Sequence, residues 1–178
     1  DRLVEELFGP RPDRVDDKTL VIEFARGGSV GATMPLTTPH GYGWNLSQLS
    51  EDMLSRAAIL YIWVEPMESR RKNTAREDPD DPGSILHHSA PTSVMREDYG
   101  CDDIEYLIEQ SDRPGMIQIE AHGKTWNLPI ARFDNRQDKT TFAHDEPEDW
   151  SDEDQKALYD GLIGPMTQLW ASYQELHK

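Results

Sequence analysis

The chain has 178 residues, of which 36% are hydrophobic, and its 34 Asp and Glu outweigh 18 Lys and Arg to give a formal net charge of −16. That length is enough for one domain with a real core, and the acidic balance argues against nucleic acid or anionic membranes as partners, because both need a basic face. Cys101 is the single cysteine, which excludes an internal disulfide and favours a reducing compartment, so we expect a cytoplasmic protein.

The first predicted elements are a helix, a strand and a long loop. Residues 1–9, DRLVEELFG, have helical apolar spacing and stop at a glycine. Residues 19–25, TLVIEFA, are apolar and β-branched apart from Glu23, which predicts a strand buried on both faces, as in a parallel sheet. Residues 26–45 contain five glycines and two prolines, which predicts a loop of unusual length, a feature that is often functional.

The middle of the chain alternates helices and strands. Ser47 or Ser50 can cap a helix over residues 48–57, and residues 58–64, AILYIWV, form the strongest predicted strand. A helix over residues 66–76 can follow, because proline suits the first helical position. Apolar strands separated by helices are typical of an α/β sheet.

The second half of the chain predicts an excursion, a hairpin and a terminal helix. Residues 77–93 are polar and punctuated by proline, and residues 94–110 are predicted to be partly helical. Residues 115–133 read as two strands around a His122–Gly123 turn. Ser151 can cap a C-terminal helix, which Gly164–Pro165 should kink or split.

These elements predict the fold class. We expect one α/β domain over residues 1–178, with a layered, mostly parallel sheet, flanking helices, a late β-hairpin and a C-terminal helix. A lid-like excursion is expected at about residues 66–100.

A basic cluster follows the strongest predicted strand. It lies in EPMESRRKNTAR, residues 65–76, and consists of Arg70, Arg71, Lys72 and Arg76. In open α/β sheets ligands collect at the carboxyl ends of the strands, and arginine suits phosphate because its planar fork donates two parallel hydrogen bonds. The alternative is a solvated helix face, in which these bases pair with the neighbouring acids Glu65, Glu68 and Glu77.

This order of elements resembles the middle and lid of P-loop nucleoside and nucleotide kinases. The similar features are a strand with E-x-x-R-G-G (residues 23–28), a helix, a strand ending in V-x-P (64–66), then E-S-R-R-K-N-x-x-R (68–76) and a late LPIARFDN (128–135). The resemblance covers roughly residues 15–178. The family's G-x-x-x-x-G-K-[ST] loop does not occur in this sequence, so either it lies upstream of Asp1 or the chain does not transfer phosphate.

The resemblance implies a P-loop kinase-like fold and a reaction. A phosphoryl group would move from ATP, with Mg²⁺, to a small acceptor that bears a hydroxyl or a phosphate. Glu23 and Arg26 would face the acceptor, and Asn135 would lie near the nucleotide base. The arginines of the lid, which would stabilise charge, are Arg70, Arg71 and Arg76. The alternative for Glu23 is a buried acid tied to an arginine for structure.

Loop residues supply the remaining candidates for substrate contact. The motif PHGYGW can stack a planar substrate through His40, Tyr42 and Trp44, or can simply pack locally. His87 and His88 can contact substrate. We predict no metal site, because adjacent histidines on a loop rarely both ligate one ion. The acidic segment 144–154 is expected to be a solvated helix start, with Mg²⁺ recruitment as the alternative.

The partners expected are a small substrate and a nucleotide, with no nucleic acid and no membrane, and a homo-oligomer remains open. The rival hypothesis is a non-catalytic ligand- or protein-binding module of the same architecture, which would use loops 27–46 and 77–100. A third hypothesis is a regulatory subunit that gains its missing loop from another chain.

Overall fold

A computed structural model describes residues 19–23, 25–77, 80 and 89–178. This part of the chain is a mixed α/β fold. Its strands are β1 (Ile59–Trp63), β2 (Met116–Ala121) and β3 (Lys124–Asp134). Its α-helices are α1 (Gly41–Ser47), α2 (Glu51–Leu54), α3 (Pro66–Ala75), α4 (Thr92–Glu97), α5 (Ile104–Gln110) and α6 (Asp152–Leu176). Two short 3-10 helices, Thr141–His144 and Pro147–Asp149, lead into α6.

The three strands form one sheet with β3 in the centre. β3 runs parallel to β1, from the pair Ile59–Ile130 to the pair Trp63–Asp134, and antiparallel to β2. The predicted hairpin is confirmed. Its turn residues, His122 and Gly123, have φ angles of 54° and 72°, and two consecutive positive φ angles are what a type I′ turn requires.

Helices cover both faces of the sheet. One face contributes residues such as Ile117 and Leu128 to a core that also includes residues of α1, α2 and α5: Leu46, Leu54 and Ile104. On the other face α6 packs against β3 and β1, where Phe133 and Leu169 are buried. Alternate residues of β3 therefore serve two different packing layers, as period-2 side-chain alternation dictates.

Several local predictions are confirmed. Pro66 is the first residue of α3, and residues 58–64 contain β1. The Ser50 hydroxyl accepts a hydrogen bond from the Met53 amide at the start of α2, and the Ser151 hydroxyl accepts one from the Asp154 amide at the start of α6. α6 runs unbroken past Pro165, so a split there is wrong: the ring removes one backbone donor, while packing on the sheet holds the rest of the helix.

The predicted strand over residues 19–25 is wrong for the described residues. Residues 19–23 and 25 are not in a strand, and Leu20, Val21 and Ile22 are 65%, 85% and 54% exposed. Apolar, β-branched composition favours a strand only where its backbone finds a partner, and in the described sheet this segment has none. Glu23 is consequently an exposed residue and not a carboxylate inside a buried strand.

The predicted loop over residues 26–45 is also shorter than expected, because α1 begins at Gly41. Residues 94–110 are helical in part, as predicted, within α4 and α5. The predicted helix over residues 1–9 lies outside the described residues. None of the described helices has the length and apolar character needed to cross a bilayer.

Candidate functional site

The candidate site lies at the carboxyl edge of the two parallel strands. β1 ends at Trp63 and β3 ends at Asp134, and these two residues are paired in register. α3 begins three residues after Trp63, and the loop after β3 returns beside it. Ligands of α/β sheets collect at such an edge, so the placement of the basic helix at this edge agrees with the sequence prediction.

An ion-pair network fastens α3 to the loop after β3. The Asp138 carboxylate accepts from the Arg71 guanidinium at 2.6 Å and pairs with the Lys72 ammonium at 2.8 Å. Arg71 also donates twice to Glu68, at 2.8 and 2.6 Å, and Lys72 donates to the Thr140 hydroxyl at 3.0 Å. Two of the four clustered bases therefore hold the helix in place.

The charge of Asp138 is stabilised by this network. Partial burial acts to raise the pKa of the carboxyl, but hydrogen bonds from Lys72 and Thr141 outweigh it and hold the pKa well below its ordinary value. Asp138 also has a φ of 47°, a left-handed conformation that Asp and Asn adopt more readily than most residues. It is therefore ionised at neutral pH and serves as the centre of the network.

Asn135 shapes the loop from inside. It is 2% exposed, and its backbone amide donates to the Trp63 carbonyl at 3.0 Å. Its side-chain amide donates to the Thr140 hydroxyl at 2.9 Å and accepts from the Lys139 amide at 2.6 Å. Both side-chain polar atoms are thus used within the protein, at the edge where the resemblance places a nucleotide base.

The remaining bases of α3 are arranged differently. Arg70 is half-buried, and within the described part of the chain its guanidinium pairs with no carboxylate. It lies one helical turn before Asn73, whose side chain exchanges hydrogen bonds of 2.9 and 2.8 Å with the Ala90 backbone. Arg76 ends the helix and is exposed. The alternative of a paired, solvated face is thus confirmed for Arg71, whereas Arg70 and Arg76 keep their charge available.

Two arginines lie against the Trp63 ring at the same edge, a contact that was not predicted from the sequence. The Trp63 ring lies 4.6 Å from the Arg132 guanidinium and 3.8 Å from that of Arg136, within the range of cation–π attraction. Asp134 pairs with Arg136 at 2.8 Å, and hydrogen bonds from Arg136 hold the pKa of Asp134 well below its usual range. The only signal in the sequence was an aromatic residue at the end of one strand and arginines at the end of another.

A second cluster gathers around the first turn of α1. The Asp103 carboxylate accepts from the amides of Tyr42 at 2.6 Å and Gly43 at 3.0 Å. The neighbouring Asp102 accepts from the Tyr61 hydroxyl at 2.7 Å. Asp102, Asp103 and Tyr61 were not predicted as site residues, because the partners of these two acids lie far away in the sequence.

The predicted substrate residues fall in and around this second cluster. Arg26 donates to the Asn45 side chain at 2.9 Å and to the Ala25 carbonyl at 2.7 Å. His40 is exposed and precedes α1, and Trp44 is half-buried within it. Tyr42 packs against the core, as the local-packing alternative expects. His87 and His88 lie outside the described residues.

The two tyrosines of the cluster are kept protonated. Burial, followed by the charge of Asp102 and the hydrogen bond to it, raises the pKa of Tyr61 far above its ordinary value. Burial also raises the pKa of Tyr42, although a backbone hydrogen bond from Arg26 opposes the shift. Both phenols are therefore neutral hydrogen-bonding groups near pH 7.

Glu23, by contrast, makes no hydrogen bond or ion pair with any residue that the structure describes.

An Asp138→Asn substitution tests the network at the candidate site. The amide keeps the shape and the backbone preference but loses the charge, so the free energy of unfolding at pH 7 should fall by about 1–2 kcal/mol. Because the folded pKa of Asp138 is depressed, its contribution is present above the unfolded pKa of about 3.9 and is lost as pH falls. The difference in the free energy of unfolding between this variant and the wild type, measured by urea unfolding, should therefore be smaller at pH 3.5 than at pH 7.

Asp52→Asn is the matched control. Asp52 pairs with Arg56 at 2.8 Å, but the two side chains are 73% and 65% exposed, and exposed pairs contribute little. A loss as large for this variant, or a gap that does not narrow in acid, would contradict the role of Asp138.

The class that these features define is a mixed α/β protein with a basic helix at the carboxyl edge of a parallel strand pair. No family model, no curated protein and no solved structure matches the chain.

Proposed function

We propose that this chain is the acceptor-binding and lid part of a kinase-like phosphotransferase, which moves a phosphoryl group from a nucleoside triphosphate to a small acceptor bearing a hydroxyl or a phosphate. One observation carries the proposal. Helix α3 begins just beyond the carboxyl edge of the parallel strands and carries Arg70 and Arg76, neither of which has a carboxylate partner in the part of the chain that the structure describes. Unneutralised guanidinium groups at such an edge favour a phosphate-bearing ligand.

The ion-pair network suggests different roles for the different bases of α3. Lys72, whose side chain is 21% exposed, and Arg71 are tied to Asp138. They hold α3 and position it, which fixes the direction in which Arg70 can reach. In this proposal Arg70 and Arg76 contact the phosphate and offset the charge that develops during transfer. Arg71 therefore acts as a positioning residue and not as a direct phosphate ligand.

The residues at this edge fit phosphate better than they fit the other groups that a kinase uses. Asp134 and Asp138 are both committed to ion pairs, and no three His, Cys, Asp or Glu side chains of the described residues converge on one point. Asn135 is 2% exposed, and its side-chain amide already bonds to Thr140 and Lys139. Mg²⁺ and ATP enter the proposal through the family resemblance alone, and no step of it depends on residues that bind them here.

A non-catalytic binding module of the same architecture is the second candidate. Its support is the exposure of Glu23, since a carboxylate that activates an acceptor needs a partner or a sheltered position. This candidate keeps the anion-binding role of Arg70 but removes the chemical step.

Thermal denaturation with polyphosphate probes tests the proposed site. We expect ATP with Mg²⁺, and pyrophosphate alone, to raise the Tm by about 3–5 °C at roughly ten times Kd. Arg70→Ala should weaken binding about 10- to 100-fold, because it removes a charge-assisted contact. Arg113→Ala is the matched control. It removes another arginine that has no ion pair among the described residues, from the loop before β2, and it should bind like the wild type.

The outcomes separate the two candidates. In the full-length protein, ADP release that depends on an acceptor and is lost in Arg70→Ala supports the kinase, whereas binding without ADP release across hydroxyl- and phosphate-bearing acceptors supports the binding module. No Tm shift with either probe, or equal losses in Arg70→Ala and Arg113→Ala, would rule out a phosphate site on α3.

A further inference from the structure

Strand β1 is apolar along its whole length, and one of its two edges has no partner in the described sheet. Its sequence, ILYIW, contains no charge, proline or glycine, yet none of its residues is buried and Ile62 is 54% exposed. A continuous apolar run is typical of a strand inside a parallel sheet, whereas edge strands usually carry charges or proline that prevent further pairing. β1 therefore has the composition of an interior strand, although among the described strands β3 is its one neighbour.

The free edge of β1 presents a defined set of backbone groups. The Trp63 carbonyl accepts from the Asn135 amide directly after β3, so Tyr61 and Trp63 direct their N–H and C=O groups toward β3. Because these directions alternate along a strand, the backbone groups of Leu60 and Ile62 point away from the sheet. No described residue bonds to them on that side. The edge therefore has the unpaired donors and acceptors that one more strand requires.

The segment of residues 19–23, TLVIE, has the composition of a strand but is not in one. Leu20, Val21 and Ile22 are each more than half exposed, and consecutive exposed apolar side chains of this kind mark an interaction site. β-branched residues favour extended backbone where a neighbouring strand is available. The segment has five residues, as β1 does. It therefore matches the free edge of β1 in composition and in length.

The chain that follows this segment is anchored beside β1. Gly28 forms a β-bridge with Cys101, and the next residue, Asp102, accepts a hydrogen bond from the Tyr61 hydroxyl at 2.7 Å. The segment is thus tethered a few residues from a contact to the middle of β1. A short tether gives it a local concentration at the edge of about millimolar, whereas a second copy that carries the same charge of −16 is repelled. The same chain is therefore the favoured source of the added strand.

The connection between the segment and β1 favours a parallel pairing. Residues 26–58 contain α1 and α2, whose buried leucines join the core, and long connections through helices join parallel strands. Pairing Leu20 with Leu60 and Ile22 with Ile62 places apolar side chains together on one face. A shift by one residue would move both segment residues to the other face, and a shift by two would carry one of them past the end of β1.

We propose that residues 19–23 add to the free edge of β1 of the same chain as a parallel fourth strand, with Ile22 beside Ile62. In this second conformation Glu23 lies beside Trp63, whose ring contacts two arginines at the carboxyl edge. Strand addition thus moves a carboxylate from solvent to that edge. The inference does not rest on the proposed function, because strand pairing is measured without any phosphate ligand.

Amide hydrogen exchange of the full chain tests the pairing. In the proposed register the amides of Val21, Glu23 and Ile62 donate across the new edge, whereas those of Leu20 and Ile22 point outward. Val21 and Glu23 should therefore exchange at least about 10-fold more slowly than their two neighbours, relative to unstructured peptides. Val21→Pro removes one donor and should speed exchange at Glu23 and Ile62 at least about 10-fold. Leu20→Pro is the matched control, since its amide faces solvent, and it should keep most of the protection.

Paired cysteines test the register and identify the source of the strand. Ile22→Cys with Ile62→Cys, combined with Cys101→Ser, places two thiols side by side on adjacent strands, at a separation that a disulfide spans. Oxidation should link them within one chain of 20.4 kDa. Val21→Cys with Ile62→Cys in the same background is the matched control. Its side chains point to opposite faces, so it should cross-link at least about 10-fold more slowly.

Three outcomes would overturn the proposal. The first is exchange of Val21, Glu23 and Ile62 at the rate of an unstructured peptide while the amide of Tyr61 is protected, since the sheet is then folded and its edge open. The second is equal cross-linking of the two cysteine pairs, which would mean that the segment has no fixed register. The third is a disulfide that forms only between two chains, at twice the chain mass, which would assign the edge to a second copy.

Discussion

Replacing Asp103 with alanine is expected to lower the free energy of unfolding by about 3 kcal/mol. Asp103 is 4% exposed, and its two carboxylate oxygens accept from the amides of Tyr42 and Gly43. These amides belong to the first turn of α1, whose N–H groups have no partner within the helix. Alanine leaves both donors without their partner in a part-buried position, and each such group costs about 1–3 kcal/mol.

The geometry around Asp103 allows no simple repair. Gly41 has a φ of 79°, and a Cβ there would lie 2.6 Å from one Asp103 oxygen. The backbone of α1 therefore approaches the carboxylate as closely as only glycine permits. A shift of the helix toward the space left by the missing carboxylate would disturb the packing of Tyr42 on the core. The loss should appear as a reduced urea midpoint with an unchanged m-value.

Asp103→Asn is the informative second variant. Its single carbonyl oxygen can accept from one of the two amides, while its NH₂ group faces the other donor, so we expect about half the loss of the alanine variant. Amide hydrogen exchange at Tyr42 and Gly43 should speed up in both variants. Losses below about 1 kcal/mol in both would show that water or another acceptor replaces the carboxylate easily.

The features predicted correctly from the sequence are those whose cause lies within a few residues. Ser50 and Ser151 cap helices that begin at the next position, and the His122–Gly123 turn joins strands that are adjacent in the chain. Pro66 favours a helix start by its own ring. In each case the stabilising contact spans at most a few positions, so the pattern of residue types is sufficient to predict the local structure.

The features missed depend on partners far along the chain. Asp103 binds a helix end 61 and 60 positions away, and Asp138 binds Arg71 across 67 positions. An acidic chain offers many carboxylates, and residue type does not tell which one will meet a given base. The predicted strand over residues 19–25 failed for the same reason, because its composition favours extended backbone but pairing depends on a distant edge.

The placement of α3 after β1 was predictable from the sequence, and the ion pairs that its side chains make were not. The position of α3 at the carboxyl edge follows from the order of a strand and a helix, and Asn135 bonds to Trp63 at the same edge. Arg71 is bonded to Asp138 and Glu68, so in the proposed function it supports the helix and does not contact the ligand. Arg70, three positions before Asn73, thereby becomes the most informative single residue for a test of phosphate binding.

Replacing Gly100 with alanine is expected to cost about 2–4 kcal/mol, because two backbone segments meet there without room for a side chain. A Cβ at Gly100 would overlap the Val30 amide nitrogen and lie 2.5 Å from the Arg96 carbonyl oxygen. The Gly100 amide donates to the Gly28 carbonyl at 2.8 Å, and the Val30 amide donates to Arg96 at 2.9 Å. An added methyl group must push these two backbone segments apart and break the hydrogen bonds between them.

The Gly100→Ala substitution should also affect the second cluster, because the backbone near Gly100 is bonded to the segment that leads into α1. Gly28 and Cys101 form a β-bridge, and Gly41 at the start of α1 donates to the Gly27 carbonyl at 3.0 Å. Loss of the contact at Gly100 should therefore weaken the attachment of the backbone next to Arg26. Amide hydrogen exchange at Gly28 and Val30 should then become faster. The Asp138 network, which shares no residue with this contact, should keep its effect on stability.

Gly123→Ala separates a steric cause from a general cost of replacing glycine. Gly123 has a φ of 72°, and nothing lies within 4 Å of a Cβ there, so only backbone strain of about 1 kcal/mol is expected. Urea unfolding of the two variants should thus differ by at least about 1 kcal/mol. Equal losses would mean that the close approach at Gly100 relaxes easily. The loop over residues 26–40 would then be held by α1 and its contact with Asp103 instead.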